Sequence, residues 1–221
     1  MVILRELDTV DDLRVLAGKK HGRPAARDAV AGAIRDHGPI TFAEYMELAL
    51  FGPGGFFEEP PIGPDGHFVT SPHVSAAFGD LIARQLAEVW DLLDRPRPFT
   101  VIEVGAGDGT LARRVLHAVR SVPDVAGSLR YVAVERSAGA REYLDELDVE
   151  IHSALEDVRP ATGCLIANEL FDNLPFHRIR NRDGKMLEVV VTADGDDLVE
   201  AEADPSMDVL ASLGKPVAPG R

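Results

Sequence analysis

The sequence predicts an α/β fold, in which helices cover a parallel sheet and a helical extension precedes it. From residue 99 onward, short and wholly apolar segments alternate with amphipathic helical ones, which is typical of a parallel sheet buried on both faces. Before residue 96, apolar residues instead recur at spacings of three and four, which is typical of helices. We therefore expect a helical extension at 1–95, an α/β core at 96–180, and a hairpin with a tail at 181–221.

The N-terminal extension contains three predicted helices and one long loop. A helix over 27–37 ends at Gly38-Pro39. Thr41-Phe42-Ala43-Glu44 has the capping-box pattern that opens a second helix, which ends near residue 50. The third helix is predicted over 75–93. The loop at 52–66 is rich in Gly and Pro and longer than most connections, so we interpret it as a lid or binding segment, with a disordered linker as the alternative.

The core contains four predicted strands, at 100–104, 130–134, 149–152 and 164–167. Helices are predicted over 110–119 and 138–147, and Asp194-Gly195 predicts a hairpin over 186–203. The single cysteine, Cys164, lies in an apolar strand, so we expect it to pack as a small hydrophobic side chain.

The composition excludes some classes of partner. The 221 residues carry a formal net charge of −14, which argues against a nucleic-acid binder because such proteins present a basic face. The charge suits a cationic partner, such as an arginine-bearing protein, or else serves only solubility. No stretch approaches the ~20 apolar residues of a membrane helix. The first residues lack the apolar block of a signal peptide, so we expect no membrane partner and a cytoplasmic location.

A strand that runs into closely spaced glycines and then a helix is the strongest functional signal. The dinucleotide fingerprint G-x-G-x-x-G fails because Thr110 stands at its third glycine position. Acidic side chains flank the glycines, and they would repel a pyrophosphate but attract a cationic sulfonium and ammonium group. This pattern resembles motif I of class I methyltransferases, which bind S-adenosyl-L-methionine. The predicted contacts are Glu103, Gly105, Ala106, Gly107, Asp108 and Gly109.

Two further segments complete the predicted cofactor site. Glu135 ends the second strand, where an acid can accept both ribose hydroxyls of an adenosine. The third strand ends before Ser153, Ala154 and Leu155, and we expect the edge of the adenine ring there.

Four ordered motifs between about residues 38 and 200 resemble the MidA-like methyltransferases, a family that includes a mitochondrial complex I assembly factor that methylates arginine. They are an opening helix at 40–46, the loop Phe51-Gly52-Pro53-Gly54-Gly55-Phe56-Phe57, the segment 66–75, and Asn168-Glu169-Leu170-Phe171-Asp172-Asn173-Leu174-Pro175. The resemblance implies a Rossmann-like methyltransferase that acts on an arginine of a complex I-type protein. It adds Thr70, Ser71 and Pro72 to the cofactor contacts.

The sequence departs from the family in two places. His67 and His73 stand where the family pattern has acids. The two histidines lie with Asp65 in an irregular loop that offers no third good ligand at metal-site spacing, so we expect no metal. Class I methyltransferases also have three more strands after the fourth, whereas only one hairpin follows here. We expect a fragment or truncated product; the alternatives are that the 186–203 hairpin or a partner subunit covers the fourth strand.

The residues after the fourth strand are the catalytic candidates. A planar guanidinium prefers paired carboxylates, so Glu169 and Asp172, beside Asn168, are predicted to orient the substrate arginine. Alternatively, Asn168 and Asp172 only cap the turn. The remaining functional alternatives are a methyltransferase for another nucleophile and a cofactor-binding or assembly protein without catalysis. A homodimer is one candidate for the oligomeric state of the protein.

Overall fold

The computed structural model describes residues 24–58, 75–206 and 209–210 of the chain. The predicted contacts Thr70, Ser71 and Pro72 therefore lie outside the described residues, as do His67, His73 and the C-terminal tail. The strands are β1 Ile40–Thr41, β2 Phe99–Val104, β3 Leu129–Val134, β4 Glu150–His152, β5 Gly163–Ile166, β6 Ile179–Arg182, β7 Lys185–Asp194 and β8 Asp197–Ala203. The helices are α1 Pro24–His37, α2 Phe42–Phe51, α3 Ala76–Leu92, α4 Thr110–Ala118, α5 Pro123–Ala126 and α6 Ala138–Leu144.

The predicted parallel sheet is present, with strand order β4-β3-β2-β5. Since β3 and β4 lie on one side of β2 and β5 lies on the other, the strand order reverses beside β2, which is where open α/β sheets bind ligands. Phe99 and Val101 of β2 are fully buried, and they pack with α3 and α4 in the main core. Cys164 is partly buried and packs against this core. No helix in the described ranges has the length and apolar character needed to cross a bilayer.

A second sheet is antiparallel, and it pairs β1, near the start of the described residues, with β7, near their end. The predicted hairpin forms from β7 and β8, with Asp194 opposite Asp197. Two pairings were not predicted: β6 with β7, and the two-residue β1 with β7. The turn between β6 and β7 places Asp183 and Gly184 at φ 52° and 87°, and Asp-Gly is a strong signal for such a turn.

The antiparallel sheet packs on the N-terminal helices rather than on the parallel sheet's open strand. Val191 of β7 lies in a core cluster with Val30 and Ile34 of α1. Within the described residues β5 pairs only with β2, and Leu165 on β5 is 56 % exposed. The alternative that the 186–203 hairpin covers the fourth parallel strand is therefore wrong, because that hairpin buries its apolar face against α1 and α2 instead.

Replacing Thr41 with Ala is expected to lower the free energy of unfolding by about 1 kcal/mol. The Thr41 hydroxyl accepts a hydrogen bond from the Glu44 amide at 3.1 Å, and the Glu44 carboxylate accepts one from the Thr41 amide at 2.8 Å. The substitution removes the first bond and loosens the second. Urea denaturation measures the change, and Thr41→Ser, which keeps the hydroxyl, is the control. Equal stability of the Ala and Ser variants would contradict the prediction.

Candidate functional site

The described site residues follow the ends of the four parallel strands. The glycine loop follows β2, Glu135 follows β3, and Ser153 to Leu155 follow β4. Residues 168–176, which we name the post-β5 segment, follow β5. Because parallel strands end at one edge of a sheet, the fold brings these four groups to the same edge, where α/β proteins bind ligands. The Glu135 amide also donates to the His152 carbonyl at 2.9 Å, which joins the second group to the third.

The glycine loop is closely packed at both ends. Gly105 and Gly109 have φ of 76° and 74°, a region that side-chain-bearing residues rarely adopt. A Cβ on Gly109 would lie 2.7 Å from the Leu144 side chain, and one on Gly105 would lie 2.9 Å from Leu170. The glycines therefore permit the turn, and Leu170 brings the post-β5 segment against the loop.

Glu135 ties the glycine loop to the end of β3. This residue is buried, and its two carboxylate oxygens accept hydrogen bonds from the amides of Gly107 at 2.8 Å and Ser137 at 2.7 Å. A carboxylate has about four lone-pair positions, so each oxygen can accept one more hydrogen bond. The geometry thus allows Glu135 to hold the loop and to accept two ligand hydroxyls.

Glu103 is buried beneath the site, where the Tyr131 hydroxyl donates a hydrogen bond to it at 2.7 Å. Burial is the main reason that the pKa of Glu103 rises to about 8. The hydrogen bond from Tyr131 lowers this pKa, whereas the charges of Asp108 and Glu135 raise it further. The carboxyl is therefore mainly protonated at neutral pH, and a cation bound nearby would favour its ionised form. Sequence reasoning missed Tyr131, although a tyrosine directly before the aliphatic run 132–134 was a usable signal.

Asp108 lies in the glycine loop, two residues before α4 begins at Thr110. Its carboxylate accepts hydrogen bonds from the Thr110 amide and the Thr110 hydroxyl, both at 3.0 Å. Thr110, which breaks the dinucleotide fingerprint, thus has a structural role in closing the turn onto α4.

The post-β5 segment contains a strained residue. Glu169 has φ of 52°, which is uncommon for a residue with a side chain and is often found at functional sites. The Asn173 side chain donates to the Glu169 carbonyl at 2.8 Å, so Asn173, which sequence reasoning missed, makes the turn's clearest side-chain hydrogen bond. Asp172 accepts only a long contact of 3.4 Å from Asn173, and Glu169 and Asp172 are both exposed.

Helix α2 is fixed near both of its ends by stacked arginines. Arg136, which follows Glu135, forms an ion pair with Glu47 and lies 4.3 Å from the centre of the Phe51 ring. Arg178 lies 4.6 Å from the centre of the Phe42 ring. The helix therefore links the end of β3 to the chain that follows the post-β5 segment. Within the described ranges, no three His, Cys, Asp or Glu side chains form a group suited to a metal ion.

Because of Glu103, the free energy of unfolding is expected to fall as the pH rises from about 4.5 to 8. Replacing Glu103 with Gln is expected to remove this fall. The folded carboxyl keeps its proton up to about pH 8, whereas the ordinary value is 4.5, so the folded state binds more protons in this window. The free energy of unfolding therefore falls as the pH rises, by a few kcal/mol at about 1.4 kcal/mol per pKa unit. Urea denaturation between pH 5 and 8.5 measures this slope. The control is the exposed Glu142→Gln; the same slope in E103Q and in the unsubstituted chain would refute the prediction.

Comparison with known proteins agrees with this geometry. Residues 81–219 match the family described as "Putative S-adenosyl-L-methionine-dependent methyltransferase". A Drosophila melanogaster relative, named protein arginine methyltransferase NDUFAF7 homolog, mitochondrial, is 32 % identical over 74 % of this chain and 44 % of its own length. The Homo sapiens protein arginine methyltransferase NDUFAF7, mitochondrial, is 27 % identical over 73 % of this chain and 43 % of its own.

A solved structure from Burkholderia thailandensis, with bound S-adenosyl-homocysteine, is 26 % identical with a TM-score of 0.72. It is matched over 86 % of this chain and 52 % of its own, so the chain spans about half the length of the relatives that it matches. The expectation of a cytoplasmic location is corrected by these relatives, whose names describe mitochondrial proteins. With the family match covering well over half of its residues, the chain belongs to the S-adenosyl-L-methionine-dependent methyltransferase family.

Proposed function

We propose that this chain binds S-adenosyl-L-methionine at the carboxyl edge of its parallel sheet and contributes to methylation of an arginine side chain in a protein. The observation that carries the proposal is the contact of the glycine loop with two groups at once. Glu135 holds the loop through the Gly107 amide, and Leu170 of the post-β5 segment packs against Gly105. The residues proposed to bind the cofactor and those proposed to bind the acceptor therefore lie at the same edge of the parallel sheet.

The residues of the loop suit this cofactor. A Cβ at Gly105 or Gly109 would lie less than 3 Å from a neighbouring leucine side chain, so the close packing of the loop requires glycine at both positions. Glu135 retains capacity for the two ribose hydroxyls. Glu103, Asp108 and Glu135 are close enough to affect one another electrostatically. The carboxylates of Asp108 and Glu135 favour a ligand with a positive charge, and such a ligand would in turn favour the ionised form of Glu103. Ser153, Ala154 and Leu155 remain the proposed contacts of the adenine edge.

Glu169 and Asp172 are proposed to orient the acceptor. Bound S-adenosyl-L-methionine would supply a methyl group activated by its positively charged sulfur. Two carboxylates can pair with the planar guanidinium, localise its positive charge on the paired nitrogens, and leave the third nitrogen nucleophilic. That nitrogen forms the new bond to carbon while the bond between carbon and sulfur breaks, and the guanidinium then releases one proton. Positioning, rather than covalent participation by the chain, is the main contribution.

The names of the curated relatives favour arginine as the acceptor. Both curated relatives described above carry the name protein arginine methyltransferase. The net charge of −14 also suits a cationic acceptor. Titration calorimetry of the chain with S-adenosyl-L-methionine and with NAD tests the cofactor directly. Binding of NAD alone would contradict the proposal, and so would binding of neither.

Replacing Glu135 with Ala is expected to weaken S-adenosyl-L-methionine binding at least tenfold. The variant loses a charged acceptor for the ribose and also frees the amides of Gly107 and Ser137, and hydrogen bonds to charged groups are worth about 1.5–3 kcal/mol. Calorimetry gives the affinity. Glu135→Gln, which retains one oxygen, is expected to bind with intermediate affinity. Unchanged affinity in the Ala variant would show that Glu135 does not contact the cofactor.

Replacing Glu169 with Gln is expected to leave cofactor affinity unchanged and to abolish methyl transfer. The substitution keeps the shape of the side chain but removes the charge that pairs with a guanidinium. Transfer of a labelled methyl group to arginine-bearing protein is the measurement, and calorimetry supplies the binding control. Glu142→Gln, at an exposed residue that is not among the proposed site residues, serves as the matched variant. Methyl transfer by the E169Q variant would contradict the assignment of Glu169 to the acceptor site.

A further inference from the structure

A groove separates α2 from the post-β5 segment. Its volume is about 310 Å³, at the lower end of the range for small-ligand sites. One wall is a single face of α2 between Phe42 and Leu50, where the lining residues recur at spacings of three and four. The opposite wall consists of Asp172, Asn173 and Phe176. The groove is therefore largely apolar, with one carboxylate on its wall.

The walls match the two parts of an arginine side chain. An aliphatic stem packs well on apolar surface, while a guanidinium stacks on aromatic rings and pairs with a carboxylate. The Phe42 and Phe176 rings lie 5.5 Å apart, and Phe176 is 46 % exposed. Two arginines of this chain, Arg136 and Arg178, already stack on phenylalanines of α2. This helix thus presents rings that accept guanidinium groups.

The groove is continuous with the proposed site of methyl transfer. Its Asp172 lies three residues after Glu169, in the segment whose Leu170 packs against the glycine loop. Along this segment the apolar side chains of Phe171 and Leu174 are 76 % and 40 % exposed. A polypeptide that enters the groove would therefore meet apolar surface on either side of the acid.

We propose that this groove receives the methyl-accepting segment of the protein substrate. The stem of the acceptor arginine packs on the exposed part of Phe176, beside the apolar face of α2, and its guanidinium pairs with Asp172. Apolar or aromatic residues next to the arginine contact Phe171 and Leu174. The inference rests on the proposed function and adds a preference for an arginine with apolar neighbours.

Peptide binding tests the groove without any methyl transfer. The probe is a fluorescein-labelled peptide, Gly-Gly-Phe-Arg-Phe-Gly-Gly, titrated into the full chain and followed by anisotropy. A peptide with citrulline, the neutral counterpart of arginine, is expected to bind at least tenfold more weakly. Asp172→Asn and Phe176→Ala are each expected to weaken binding of the arginine peptide about tenfold. Asp194→Asn, which makes the same charge change in the exposed turn between β7 and β8, is expected to bind normally.

Photocrosslinking locates the bound peptide. With benzoylphenylalanine in place of the first phenylalanine of the peptide, crosslinks mapped by mass spectrometry are expected within residues 42–50 or 171–176. Crosslinks confined to other residues would overturn the proposal. The proposal would also be overturned if the Asp172→Asn and Phe176→Ala variants bound the arginine peptide as tightly as the unsubstituted chain does. Absence of binding of the arginine peptide, which is the result if another part of the chain or a second copy covers the groove, would overturn it as well.

The outcomes separate this inference from the proposed function. If the peptide binds in the groove but the chain neither binds S-adenosyl-L-methionine nor transfers a methyl group, the proposed function fails and the groove stands. If methyl transfer to arginine occurs at unchanged KM in Phe176→Ala, the groove assignment fails and the proposed function stands. An unchanged KM in Asp172→Asn would in addition remove Asp172 from the residues proposed to orient the acceptor.

Discussion

The site depends on one buried carboxylate, that of Glu135. Its oxygens accept hydrogen bonds from Gly107 in the glycine loop and from Ser137 at the start of α6. Both amides would otherwise lie unsatisfied at the end of a buried sheet, which is costly in a region that excludes water. The amides of Gly105 and Ala106 also donate to the Val134 carbonyl, so side-chain and backbone hydrogen bonds together hold the loop where Gly105 contacts Leu170. The end of β3 thus fixes the glycine loop, which is distant in sequence.

Helix α2 connects the two halves of the site from outside the parallel sheet. It begins directly after β1, which pairs with β7, so the antiparallel sheet fixes its start. Arg136 then binds near its end, beside the residue that holds the glycine loop. The N-terminal extension is consequently part of the site's framework, and Phe42 and Tyr45 of α2 both contact the core cluster of α1 and β7 and line the groove.

The parallel sheet was predictable because its strands are short, apolar and separated by helices with a clear period. The glycine loop and Glu135 were predictable for a related reason, since their positions follow from where those strands end. The pairing of Ile40 with Val191 was not, because two residues carry no periodicity and their partner lies about 150 positions away. Nor were the partners of buried or stacked groups, such as Tyr131 with Glu103 or Arg136 with Phe51, since these contacts exist only after the elements pack.

Because α2 is attached near both of its ends, it acts as a rigid spacer between the two halves of the site. Its ten residues correspond to a length of about 15 Å, and the arginines that stack on Phe42 and Phe51 lie towards opposite ends of it. Adding or removing one residue between these phenylalanines would turn one ring by about 100° relative to the other, because a helix has 3.6 residues per turn. Only one arginine could then remain stacked. The span between the two halves of the site is therefore set by a rigid helix, with about 2.5 turns between the two phenylalanines, rather than by the lengths of flexible loops.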